Sequence, residues 1–153
     1  MRDDLQQLFT GLSALLQEKR QHFQTILEHS ARMRFSKDHE IEGEISVLLK
    51  KNAHLIDAIT ALDQPIAESK RNICVVCGIG ESDFNRYFSS NKNTDYRTII
   101  ELEREIEEFK SKACRHYDEL CRVMEESAAE TQLQIDSLSK IRMVKEMTGG
   151  NLE

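Results

Sequence analysis

Cys74 and Cys77 stand two residues apart in the stretch "NICVVCGIG" at 72–80, and Gly78 and Gly80 follow them. A thiol pair at that spacing can supply half of a tetrahedral zinc site or the two sulfurs of a redox couple. With Gly78-Ile79-Gly80 it can also be read as a turn that cradles phosphate. Each of these chemistries needs further residues. Zinc needs two more ligands, and the other two cysteines are Cys114 and Cys121. Seven residues put those on one helical face but about 10 Å apart along the axis, too far to share one metal. A redox pair is activated at a helix N-terminus within a thioredoxin-like sheet, and no βαβ pattern surrounds this one. The nucleotide turn lacks its third glycine, whose place Asp83 takes, and the alternating strands and helices it requires are missing. Cys74 and Cys77 therefore read as small buried hydrophobes in the apolar part of an inter-helix connection. With that reading, replacing both by Ala or Ser is expected to leave the helical signal and melting insensitive to chelators.

The remaining polar residues suggest no reaction. None of the histidines His22, His29, His39, His54 and His116 lies three residues after a glutamate, so the Glu-x-x-His signature of di-iron bundles is missing. There is no HExxH. Glu40, Glu42 and Glu44 gather at a helix start, where solvated carboxylates are favoured by the dipole. We expect no enzyme activity, no metal and no cofactor.

The elements that carry these residues are helices. The chain has 153 residues, enough for one domain with a modest core. A single proline and six glycines leave few interruptions. The net charge of −6 repels phosphate backbones, so no nucleic-acid partner is expected. The N-terminus has no long apolar segment of the signal-peptide kind, and no apolar run is long enough to span a bilayer. A cytoplasmic protein with reduced cysteines follows as the expectation.

Residues 3–34 carry Leu5, Phe9, Leu12, Leu16, Phe23, Ile26 or Leu27, and Met33 at helical spacing. The stripe lapses at "FSKDHE", where a turn is expected, with Ser36 or Asp38 capping the next helix. From Ile41 the positions Ile45, Leu48, Asn52, Leu55, Ile59, Leu62 and Ile66 alternate four and three apart, as a heptad seam does. Asn52 is its one polar member. It reads first as a solvated edge position, and alternatively as a residue that fixes register; either way Asn52→Leu is expected to stabilise the bundle. Asp63, Gln64 and Pro65 end this helix or start another. Residues 71–97 read as an irregular connection with one short helical piece around "ESDFNRYF".

A long helix over 98–147 follows. Ile99, Leu102, Ile106, Phe109, Ala113, His116 or Tyr117, and Leu120 form its stripe, which drifts by one position to Met124, Ala128, Thr131, Ile135, Leu138 and Ile141. As one helix it would run about 75 Å, longer than either helix before it. The overhang, with Leu133, Ile135, Leu138, Ile141, Val144 and Met147 between the bases Lys140, Arg142 and Lys145, is the candidate surface for an acidic amphipathic partner helix. The fold class is all-α, an elongated antiparallel bundle or hairpin with a long C-terminal helix. The organisation is 1–70 for N-terminal amphipathic helices, 71–97 for the connection, 98–147 for the long helix and 148–153 for a tail.

Three stretches together resemble the FlgN type of flagellar type III export chaperone. They are "LFTGLSALLQEKRQHFQTILEHS", similar to that family's Leu- and Glu-rich first helix, "IEGEISVLLKKNAHLIDAITALDQPI", and the closing "LSKIRMVKEMTGG". In the second, Lys50 or Lys51, then Leu55-Ile56, then Leu62-Asp63 resemble the family's order of a lysine, an apolar pair and a Leu-acid step. The resemblance covers most of the chain outside 71–97. It implies a helical binding protein without catalysis. Such a protein would hold the terminal segments of hook-associated proteins, prevent their premature assembly and deliver them to the export gate. A homodimer is a further expectation. A structural coiled-coil subunit of a multi-protein scaffold is the alternative, and a zinc-binding or thiol enzyme a third class.

Overall fold

The computed structural model describes residues 2–41, 43–90 and 93–147, with side chains described for 3–41, 43–90, 93–126 and 128. The elements are α1 (Arg2–Asp38), α2 (Glu44–Cys77), a 3-10 turn (Glu81–Asp83), α3 (Phe84–Ser90) and α4 (Thr94–Met147). The fold is all-α, a helical bundle with a long C-terminal helix. It divides into two compact units, Met1–His116 and Tyr117–Glu153.

The first unit has one main core. Phe9, Leu12 and Leu16 of α1 meet Leu62, Ile66, Ile73 and Cys74 of α2, Phe84 and Phe88 of α3, and Ile99, Leu102 and Ile106 of α4. These are the positions that the helical periodicity selects, because side chains three and four apart share one face. Aromatic rings close one end: Phe88 lies 5.0 Å from Phe9 and 5.1 Å from Phe84, both edge-on, and 5.9 Å from Tyr96. Ion pairs tie the elements across their edges, Lys19 to Asp63, Arg20 to Glu105 and Lys70 to Glu103. In the second unit Leu120 is buried and Met124 exposed.

The boundaries differ from the sequence reading in three places. The first helix runs to Asp38, so Ser36 and Asp38 cap nothing. The buried Ser36 hydroxyl donates to the Arg32 carbonyl, and Asp38 pairs with Arg34. The chain reverses just after, where Glu40 takes a left-handed φ of 53° and Gly43 one of 77°. Second, α2 does not break at Pro65, which lies inside a helix of 34 residues. A proline interior to a helix removes one backbone bond and costs about 3 kcal/mol. Here Ile66 and Ile73, seven residues apart, both lie in the core, and their burial requires the helix to continue. Third, 71–97 is less irregular than expected. α2 occupies its start, the short helix around "ESDFNRYF" is α3, and α4 begins at Thr94, where the Asn93 side chain accepts the Tyr96 N–H at 2.9 Å.

Candidate functional site

The "CVVCGIG" stretch is the C-terminus of α2. Gly78 adopts φ 67° and donates its N–H to the Val75 carbonyl at 3.2 Å, while the Ile79 N–H reaches the Cys74 carbonyl at 3.0 Å. This pair of bonds is a Schellman motif, and its left-handed residue is ordinarily glycine. Cys74 lies in the core and Cys77 is half-buried. Burial pushes both thiols above their ordinary value of 9.0, with Glu81 and Cys77 adding to the effect at Cys74. A thiol held protonated at a helix C-terminus is a poor nucleophile. Beside them Lys70, Arg71, Glu81 and Phe84 line a cleft of about 250 Å³, but its cations are already paired, Arg71 with Glu81 and Lys70 with Glu103. Among the described residues, no group of three or more His, Cys, Asp or Glu side chains is arranged to hold a metal ion.

Asn52 is where the seam departs most from its sequence reading. It is 1% exposed, so it is not a solvated edge position. Its Oδ1 lies 2.7 Å from Nδ1 of His29. An amide oxygen only accepts, so the imidazole carries its proton on Nδ1. Ser30, one residue away on α1, is also buried, and its hydroxyl donates to the Ile26 carbonyl at 2.7 Å. The α1–α2 contact therefore has a polar layer between apolar ones. Only tertiary pairing reveals it, since His29 and Asn52 are 23 residues apart.

Next to that layer, α2 leaves aliphatic side chains in water. Val47 is 52% exposed, Leu49 40% and Ile56 50%. Leu49 and Ile56 are seven apart and share a face. Half-buried Ile45, four residues before Leu49, continues that face, and exposed Ala53 lies between the two. Single exposed aliphatics are ordinary, whereas a contiguous group on one face marks a contact surface. Lys50, Lys51 and His54 are exposed within the same turns. The periodicity did not select Leu49 and Ile56 as a site because they flank the seam and read as its shoulders.

No protein-family model matches the chain, and no characterised protein sequence or solved structure matches it either.

The surface expected from the sequence lies elsewhere. Leu133, Ile135, Leu138, Ile141, Val144 and Met147 belong to α4, but their side chains lie outside the described residues. The exposed Met124 is the nearest large apolar side chain before them. Among the described residues, no helix is long and apolar enough to cross a membrane.

Proposed function

We propose that this chain is a non-catalytic, cytoplasmic binding protein, a flagellar export chaperone that holds terminal helices of hook-associated proteins and hands them to the export apparatus. The observation that carries the binding part is the exposed aliphatic face of α2, Leu49 and Ile56 with Val47 around the helix from them. An amphipathic segment of a partner gains by covering such a face, because each aliphatic side chain taken out of water contributes about 1.5–3 kcal/mol when fully buried. The family-level part rests on the order of the three stretches that resemble FlgN-type chaperones. The face Leu133–Met147 on α4 is the second contact in this reading.

The test is titration of the purified chain with synthetic peptides of hook-associated protein termini, followed by calorimetry, with light scattering before and after. A stoichiometric complex formed by a chain that is monomeric or dimeric alone supports the proposal. A chain that forms only extended oligomers and ignores those peptides points to the second reading, a coiled-coil scaffold subunit. The heptad spacing of α2 and the 54-residue length of α4 favour that second reading.

A further inference from the structure

The second unit, Tyr117–Glu153, holds one element among the described residues, the last part of α4. A single amphipathic helix has no second layer in its own unit on which to bury an apolar face. This part of α4 carries such a face. Cys121, Met124, Ala128, Thr131, Ile135 and Leu138 follow one another at alternating steps of three and four, as the a and d positions of a heptad do. None of the six is charged. Cys121, Met124 and Ala128, whose side chains are described, are all exposed.

Charge gives the seam two unlike ends. Exposed Asp118 and Glu125 stand three residues before and four after Cys121, so both flank its first position on the same side. Among the described residues neither acid takes part in an ion pair, although Arg122 lies between them in sequence. At the other end the next two heptad positions are Arg142 and Lys145. With Lys140 these bases outnumber Glu146, the one acid beside them.

We infer that this seam pairs antiparallel with the same seam of a second copy of the chain, Arg142 and Lys145 of each meeting Glu125 and Asp118 of the other. The inference goes beyond the binding reading above and does not depend on it. Turning the seam onto itself sets Ala128 opposite the copy's Leu138 and Thr131 opposite its Ile135. Met124 then faces the copy's Arg142, and Cys121 its Lys145. The small Ala128 thus receives a large residue. The long bases lay their stems along Met124 and Cys121 and carry their charge out to the acids beside them. Every contact is made twice, as in any isologous interface. Parallel pairing would set each seam residue against itself, Arg142 on Arg142 and Lys145 on Lys145, with a gap between two Ala128 side chains. Gln132 and Gln134, which flank the midpoint, are uncharged, so like charges do not meet there although each copy carries a net charge of −6. A helix of another protein would have to supply the same order of acids, uncharged seam and bases in reverse. A second copy has it already.

The whole chain is followed by light scattering over a dilution series, in a Cys114→Ser background that touches only an exposed side chain. Dimers that dissociate on dilution are expected. Ala128→Glu, at an exposed position, is expected to leave monomer alone with the helical circular dichroism signal retained. Glu125→Arg and Arg142→Glu are each expected to weaken the dimer about tenfold, since the two-fold axis makes each change count twice, and together to restore it. Orientation is read with a short bis-maleimide linker. Antiparallel pairing puts the two Cys121 thiols about 36 Å apart, so crosslinked dimers are expected only when Lys145→Cys is added. Crosslinking through Cys121 alone means parallel pairing and overturns the inference. A dimer that survives Ala128→Glu overturns it too, because the interface then lies elsewhere. A chain that stays monomeric at every concentration also overturns it; if that monomer binds hook-associated protein peptides, the seam is left to a foreign helix and the proposed function stands.

Discussion

Replacing Asn52 by alanine removes the acceptor of the His29 Nδ1–H at a position that is 1% exposed. The expected loss follows from what the imidazole can do afterwards. A fully buried donor left without a partner costs about 1–3 kcal/mol. His29 is only half-buried, and its ring can turn partly toward water. The lower part of that range applies, about 1–2 kcal/mol. For a chain of this length that is a fall in Tm of roughly 2–8 °C. Asn52 makes a further interaction, so the single variant does not isolate the pair. A double-mutant cycle with His29→Ala does, and it is expected to return a coupling of about 0.5–1.5 kcal/mol from urea unfolding followed by circular dichroism. Asn52→Leu decides between the seam and the hydrogen bond. A leucine adds apolar area, but it strands the same donor and is larger than asparagine in a closed site, where overpacking costs about 1–3 kcal/mol. The gain expected from the sequence alone is therefore cancelled, and Tm should not rise. A coupling below roughly 0.3 kcal/mol, or a leucine variant melting clearly above the parent, would refute the reasoning, because the polar pair would then contribute nothing net.

The Arg32 guanidinium holds the Glu44 carboxyl below its ordinary 4.5, and Lys112 does the same for Glu108. Because the folded values are the lower ones, their contributions are present at neutral pH and fade as pH falls through the folded-state range; Glu44→Gln should remove that part of the acid response in a pH series of melting curves. A chromogenic thiol reagent should label exposed Cys114 and Cys121 quickly in the native protein and Cys74 only on unfolding, with chelators leaving Tm unchanged; fast labelling of Cys74 would contradict its burial. Both α1 and α2 end in a left-handed residue, Glu40 and Gly78, so Glu40→Gly should raise stability by about 0.5–1 kcal/mol and Gly78→Ala should lower it by about 1 kcal/mol in urea unfolding. Leu138→Asp with Ile141→Asp should abolish binding of hook-associated protein peptides while the helical circular dichroism signal persists; a variant that unfolds or binds as well as the parent assigns those residues to the core or to no role.

Periodicity alone determined much of the architecture. Phe9, Leu12 and Leu16, Leu48, Ile59, Leu62 and Ile66, and Ile99, Leu102, Ile106 and Ala113 are buried because 3.6 residues per turn place them on one face of each helix, a property local to the chain. The short helix around "ESDFNRYF" was legible from another local signal, the turn residues that bracket it. The course of α2 past Pro65 was half legible. Ile73 repeats Ile66 at seven residues, and Gly78 stands one residue past the helix end, yet the proline was the louder local signal. Its local cost is outweighed by burial against helices distant in sequence, and no window of one segment contains that term. The same holds for the polar layer. Nothing near Asn52 in sequence states that His29 lies across from it, so the choice between a wet edge and a hydrogen-bonded core position belonged to the pairing of α1 with α2. The candidate site followed this pattern too. Lys50, Lys51, Leu49 and Ile56 are plain in the sequence, but their exposure is decided by which faces of α2 the other helices cover, and that is a property of the assembled bundle.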